Sequence, residues 1–241
     1  VGGGSGAIRP GSCSLAHRGI LFIDEAPECA SGIIDSLRQP LESGVITINR
    51  ASGTVTFPAR FLLVLAANPC PCGRFSGRGR ACECTSLQIR RYLNRISGPL
   101  LDRIDLRIDV DAPTRVELSE DSVRESSSEV RNRVIAARKR AEERYGGKHY
   151  RLNSQIPAED LRREFRADPK GMQLLHRHLD EANLTARSFH KLLRLAWTIA
   201  DLRRCGRPTI DEIEKAIHAI MASKSMRMPG TKNLSLLPSI Y

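Results

Sequence analysis

The sequence predicts an α/β half followed by an all-α half, and three features carry that reading. Two continuous apolar runs, Gly19-Ile20-Leu21-Phe22-Ile23 and residues 61–67, are each closed by polar residues, Asp24-Glu25 and Asn68-Pro69. That is the pattern of strands buried on both faces of a parallel sheet. Between them, two short β-prone runs flank a turn. From Pro157 onward apolar residues recur at helical spacing instead, in four segments with breaks at Asp168-Pro169 and Gly206-Arg207-Pro208.

Taken in order, residues 33–41 read as a helix. Val45-Ile46-Thr47-Ile48 and Thr54-Val55-Thr56-Phe57 flank Asn49-Arg50-Ala51-Ser52-Gly53 and predict a β-hairpin. Thr85 is placed to cap a helix running from Ser86 to about Ile96. Leu106-Arg107-Ile108-Asp109-Val110 alternates apolar and polar residues and predicts a third, less buried strand. Residues 112–127, polar and rich in Ser and Glu, read as a linker. A charged helix over 129–145 is closed by Gly146-Gly147, and helices follow over 158–165, 169–181, 186–204 and 209–222. Leu192, Leu193, Leu195, Ala196, Ile199 and Leu202 form the apolar stripe of a bundle core. The expected organisation is an α/β core over 1–111, a linker and charged helix over 112–157, a helical subdomain over 158–222 and a polar tail over 223–241.

The 241 residues carry a net charge of +11, with 41% hydrophobic and 27% charged residues, a balance expected of a soluble globular protein. No apolar run approaches the roughly 20 residues that span a bilayer, which argues against an integral membrane protein. The surplus of base favours an acidic partner, nucleic acid first among them, although it also serves simply to solubilise a surface. Seven cysteines without a secretion signal point to a reducing cytoplasm. The chain opens Val1-Gly2-Gly3-Gly4-Ser5-Gly6, which reads as an interior piece of a longer protein.

A parallel strand delivers its carboxyl end to the ligand-binding rim of an open α/β sheet. Asp24 at such an end can hold the Mg²⁺ of Mg-ATP, and Glu25 can polarise an attacking water; an ordinary strand that happens to end in acids is the alternative. Asn68 closes the next strand, where an amide can position water or sense a γ-phosphate. The segments Gly19 through Ala26, Ala66-Ala67-Asn68-Pro69 and Gly98 through Asp105, in that order, resemble the AAA+ ATPases of the magnesium-chelatase branch. Within that branch the bacterial ComM/YifB-type proteins are matched by Asn68-Pro69-Cys70-Pro71-Cys72-Gly73. Leu184-Thr185-Ala186-Arg187-Ser188 resembles the entry to the family's helical lid.

The resemblance implies a partial AAA+ parallel-sheet core, missing its first strands, with a C-terminal helical lid. It assigns Mg²⁺ to Asp24, the catalytic base to Glu25 and sensor 1 to Asn68. Arg103 becomes the arginine finger presented to a neighbouring subunit of a hexameric ring, and Arg187 becomes sensor 2. The planar, permanently charged guanidinium suits both arginine positions, while a salt bridge of Arg103 with Asp102 or Asp105, and a plain surface role for Arg187, are the alternatives. The family's phosphate loop, Gly-x-x-x-x-Gly-Lys-[Ser/Thr], does not occur in the 241 residues. The expectation is that it lies upstream of Val1 and that this piece alone does not turn over ATP.

Cys70-x-Cys72 and Cys82-x-Cys84 offer four thiolates from two short segments, a set that closes a tetrahedral zinc shell. Free thiols or a labile disulfide are the alternatives; Cys13, Cys29 and Cys205 read as structural. Seven arginines (74, 78, 80, 90, 91, 95 and 103) face only Glu83 and Asp102 across 74–103. Such a segment can track a DNA backbone, or pair with another subunit. The expected function is a ring ATPase that couples ATP hydrolysis to DNA translocation or branch migration. The rivals are a chelatase or chaperone-type motor acting on a protein, and a non-catalytic zinc and DNA-binding module.

Overall fold

The computed structural model describes residues 8–50, 53–75, 81–110, 125–182 and 185–222. The Gly-rich opening at 1–7, Arg78 and Arg80, most of the expected linker (112–124) and the tail over 223–241 lie outside the described residues. Packing divides the chain into two units, Val1–Asp105 with Val110–Ala112, and Leu106–Asp109 with Pro113–Tyr241. Among the described residues no helix is long and apolar enough to cross a membrane.

The first unit is mixed α/β. In chain order it holds α1 (Ser12–Leu15), β1 (Ile20–Ile23), α2 (Ser31–Ser36), α3 (Arg38–Ser43), β2 (Val45–Arg50), β3 (Gly53–Pro58), β4 (Leu62–Leu65), α4 (Ser86–Leu93) and α5 (Gly98–Leu101). β1 and β4 pair in parallel, with Ile20 opposite Leu62 and Ile23 opposite Leu65. β2 and β3 form the expected hairpin, but the ladder runs further than the sequence suggested, to Arg50 opposite Gly53. The core gathers Cys13, Ala26, Ile34, Leu37, Ile46, Ala59 and Leu100, with Leu21, Ile23, Leu63 and Leu65 packed against it from one face of the parallel pair.

Four expectations are corrected here. β1 and β4 are not buried on both faces: Ile20, Phe22 and Leu62 are 63%, 58% and 61% exposed, because side chains alternate across a strand and no described element covers their side. The helix over 33–41 is two helices broken at Leu37. Pro40 has no N–H to give Ser36 and its ring crowds that carbonyl, so a continuous helix is lost there. The helix begun at Ser86 stops at Leu93 instead of Ile96. Asn94 closes it, and Ser97, whose hydroxyl donates to Asp35 at 2.5 Å, turns the chain into the next helix ahead of Pro99. Residues 106–110 form no strand. Alternation becomes a strand only against a ladder partner, and here Ile108 and Val110 are 73% and 88% exposed with no pairing among the described residues.

The second unit is helical: α6 (Ser127–Tyr145), α7 (Ala158–Arg163), α8 (Pro169–Ala182), α9 (Ala186–Arg203) and α10 (Ile210–Ala222). α6 starts at a capping box in which the Ser126 hydroxyl accepts from the Glu129 N–H and the Glu129 carboxylate accepts from the Ser126 N–H, and it ends at Gly146 in the left-handed region. α9 runs through the core with Leu192, Leu193, Ala196, Trp197 and Ala200 buried, against Ile213 and Ala216 of α10 and Leu161 of α7. The Trp197 indole N–H donates to the Phe165 carbonyl at 2.8 Å. Arg144 of α6 makes two bonds to Asp201, at 2.6 and 2.8 Å, and lies 4.1 Å from the Trp197 ring centroid.

Candidate functional site

Asp24 and Glu25 follow β1 directly, at the carboxyl ends of both parallel strands. The pairing continues one step past the ladder: Ala66 N–H donates to Ile23 O and Ala26 N–H to Ala66 O, each at 2.9 Å. The acid pair therefore flanks Ala66, two residues before Asn68. Asp24, Glu25 and Asn68 are all exposed. Glu25 sits in the left-handed region (φ 48, ψ 42), uncommon for a residue with a Cβ. Its N–H is held by the Asp24 carboxylate at 2.9 Å, and its carbonyl accepts from the Glu28 N–H at 2.7 Å. The chain turns here, leaving the two neighbouring acids at the carboxyl ends of the strands.

Two residues on from Asn68, Cys70 is fully buried. Cys70, Cys72, Cys82 and Cys84 bring their sulfurs within 4.8 Å of one another. Three of the separations are 3.3 Å (Cys70 to Cys72), 3.6 Å (Cys72 to Cys82) and 3.6 Å (Cys82 to Cys70). A zinc tetrahedron with bonds of about 2.3 Å has sulfur–sulfur edges of about 3.8 Å, so Cys70, Cys72 and Cys82 already stand within tenths of an ångström of that spacing and Cys84 within about 1 Å. Hydrogen bonds from the Arg74 backbone and the Cys70 thiol lower Cys72 to about 6, while burial, reinforced by the neighbouring thiols, pushes Cys82 up to about 12. A divalent cation at the centre of the four sulfurs would favour the thiolate form of each.

Helix α4 begins immediately after Cys84. Thr85 caps it reciprocally with Gln88, its N–H donating to Gln88 Oε1 at 2.7 Å. At the other end, Tyr92 is 3% exposed. Its hydroxyl takes a hydrogen bond from the Asn68 backbone and lies in the field of Glu28, Glu25 and Cys70; burial first, then Glu28, raises its pKa. Arg95, just past the helix, donates to the Pro27 carbonyl at 3.1 Å and to Glu28 at 3.0 Å.

Arg103 does not pair with Asp102 or Asp105. Its Nη2 meets Glu42 of α3 at 2.5 Å and its Nη1 donates to Pro99 O at 2.6 Å, leaving the side chain 14% exposed. It lines a shallow groove with Asp35, Arg38 and Glu42. Arg187 belongs to the other unit, exposed in the first turn of α9 behind the Thr185 cap. Glu28, Glu42 and Tyr92 were not singled out from the sequence. The only local signal was the arginine excess, which includes Arg95 and Arg103, the partners of Glu28 and Glu42.

Two family models match in succession: one described as magnesium chelatase, subunit ChlI, over residues 1–118, and one as its C-terminal part over 124–219. The chain is 41% identical over 204 residues to the competence protein ComM of Haemophilus influenzae, covering 84% of this chain and 39% of ComM. It is 40% identical over 216 residues to the uncharacterized protein YifB of Escherichia coli, covering 89% and 42%. Magnesium-chelatase subunit ChlI of Chlorella vulgaris is 38% identical over a shorter stretch of 63 residues, 26% of this chain and 18% of that protein. The chain thus spans about two-fifths of the length of these bacterial relatives.

Proposed function

We propose that this chain, which belongs to the magnesium-chelatase-like AAA+ family, close to ComM and YifB, supplies the hydrolytic face of an ATP hydrolase that works on DNA. The observation that carries the reading is the convergence of Asp24, Glu25 and Asn68 at the carboxyl ends of two parallel strands, with Glu25 turned out by a left-handed backbone. Asp24, an exposed carboxylate, is suited to the water shell of Mg²⁺. Glu25 accepts the proton of the attacking water, and the Asn68 amide orients that water against the γ-phosphate. When bound, Mg²⁺ neutralises charge on the phosphates of ATP.

Arg103 acts as the finger of a neighbouring subunit in a ring hexamer, and Arg187, on the helical lid, as sensor 2. In this reading Glu42 holds Arg103 until the neighbour's phosphate displaces it. The organisation follows from these roles: core over 1–111, linker and charged helix over 112–157, lid over 158–222, tail beyond. The phosphate-holding Gly-Lys loop and the first sheet strands belong to the rest of the longer protein, so these 241 residues alone bind ATP weakly and do not hydrolyse it. The four cysteines take zinc. DNA as the substrate is supported by the net charge of +11, by the exposed Arg74, Arg90 and Arg91 beside the cysteines, and by the length of the match to a competence protein. Translocation or branch migration in the cytoplasm is the corresponding activity. The much shorter match to ChlI sets the chelatase-type motor second.

The test uses the complete protein. Arg103→Ala and Glu25→Gln subunits are each inactive alone, and mixing them restores turnover at interfaces where an intact Arg103 meets an intact Glu25. Mixed rings of verified composition that stay inactive refute the shared site.

A further inference from the structure

α4 contributes no residue to the apolar core of its unit. Of its eight residues only Tyr92 is buried, while Leu87 is 56% exposed. The polypeptide leading into it, 73–84, is dominated by Gly, Arg and polar residues, and its one large apolar side chain, Phe75, is 38% exposed. Hydrophobic burial therefore does little to fix the helix. Two other attachments do. At the amino end the cysteine cluster joins Cys84, one residue before the Thr85 cap, to the buried Cys70, two residues after Asn68. At the carboxyl end Tyr92 receives the Asn68 backbone bond and Arg95 grips Pro27 and Glu28, in the turn that begins at Glu25. A helix of eight residues is about 12 Å long and stiff, so what fixes one end is transmitted to the other. Arg95 and Glu28 are both about half exposed, and an ion pair of that kind contributes little on its own.

We infer that the four cysteines form a zinc site whose occupancy fixes α4 as a strut, and that α4, through Tyr92 and Arg95, sets the positions of Asn68 and of the Glu25–Glu28 turn. The metal is thereby a positioning element of the hydrolytic face as well as a staple for the arginine-rich loop. The catalytic consequence rests on the ATPase reading above; the structural wiring does not. Loss of the metal would release Asn68 and the turn while leaving the phosphate contacts of ATP in place.

The complete protein, purified without chelator, should carry one zinc per chain by elemental analysis. Amide hydrogen exchange is then followed, without nucleotide, at 25–29 and 66–70, with 192–200 of α9 as the internal control. Stripping the metal should speed exchange at the first two segments at least tenfold and leave α9 unchanged, and equimolar Zn²⁺ should reverse the effect. Tyr92→Phe should keep the metal, speed exchange at 66–70, and lower kcat about tenfold with ATP affinity within twofold. The paired Cys82→Ser, Cys84→Ser variant should lack metal and match the stripped protein. A metal-free preparation, or a zinc protein whose exchange at 25–29 and 66–70 ignores metal removal and Tyr92→Phe, overturns the strut. Metal-dependent exchange in a protein that never hydrolyses ATP upholds the strut and refutes the ATPase reading.

Discussion

The helical unit and the α/β unit are held together by different means. Among the described residues the helical core gathers seventeen buried side chains, the α/β core seven. In the helical unit Tyr145, Tyr150, Phe165 and Trp197 meet edge to face at 5.0–6.3 Å, and the buried Asp201 is matched by Arg144, Asn153 and the Trp197 stack above that arginine. The buried carboxylates Asp201 and Glu212 are both paired there, which is how charge is tolerated in an interior. In the α/β unit the groups of chemical interest, Asp24, Glu25 and Asn68, are exposed, one face of the parallel pair is open, and α4 is tied in by cysteines, a tyrosine and an arginine. The larger buried core belongs to one unit, and the acid pair and the cysteine cluster to the other. Among the described residues, α4 of the α/β unit is held by the cysteine cluster and polar clamps, where its neighbour is held by packing.

The largest effect that would sharpen this contrast is a pair of aromatic truncations. Trp197→Ala removes a buried ring, its N–H bond to Phe165 and the Arg144 stack, and should cost about 3–5 kcal/mol in the helical unit. Phe22→Ala, at a ring that is 58% exposed on the open sheet face, should change the stability of the α/β unit by less than about 0.5 kcal/mol. Denaturant unfolding followed separately for the two units checks both. A costly Phe22→Ala would mean that its face is packed in solution.

A smaller effect concerns pH. Glu212 is 1% exposed at the head of α10. Burial alone would raise its pKa, but the Thr209 hydroxyl at 2.6 Å, the Thr209 N–H at 2.9 Å and Arg203 at 2.6 Å outweigh it and hold the carboxyl below its ordinary range. A carboxylate with a lowered native pKa contributes fully above its unfolded value and is lost as pH falls through the native one. The helical unit should therefore weaken progressively below about pH 4.5. Glu212→Gln should cost about 1–3 kcal/mol at neutral pH and flatten that acid limb, measured as unfolding midpoints from pH 7 to 3.

What the sequence made legible follows the range of the interactions. Asp24, Glu25 and Asn68 are marked by the apolar runs directly before them, and the hairpin and the helices after 157 by periodicity over a few residues. The break at Leu37 is legible in Pro40, three residues on, whose missing N–H outweighs the apolar spacing. Arg95 with Glu28 and Arg103 with Glu42 are separated by 67 and 61 residues, and no local pattern encodes such a pair. Residues 106–110 alternate as a strand would, yet alternation states only which side chains share a face. Whether a partner strand lies alongside is settled elsewhere in the fold.

The central claim is that Glu25 is the base of an ATP hydrolase, and its most direct test is ATP binding and turnover by the complete protein carrying Glu25→Gln. The amide keeps the size of the side chain and the phosphate contacts of the rest of the site, but it cannot take a proton from water. ATP affinity should stay within about twofold while turnover falls by about 10²–10⁴. Turnover near that of the unaltered protein, with the substitution verified, would contradict the assignment and return Glu25 to the status of an acid that merely closes a strand.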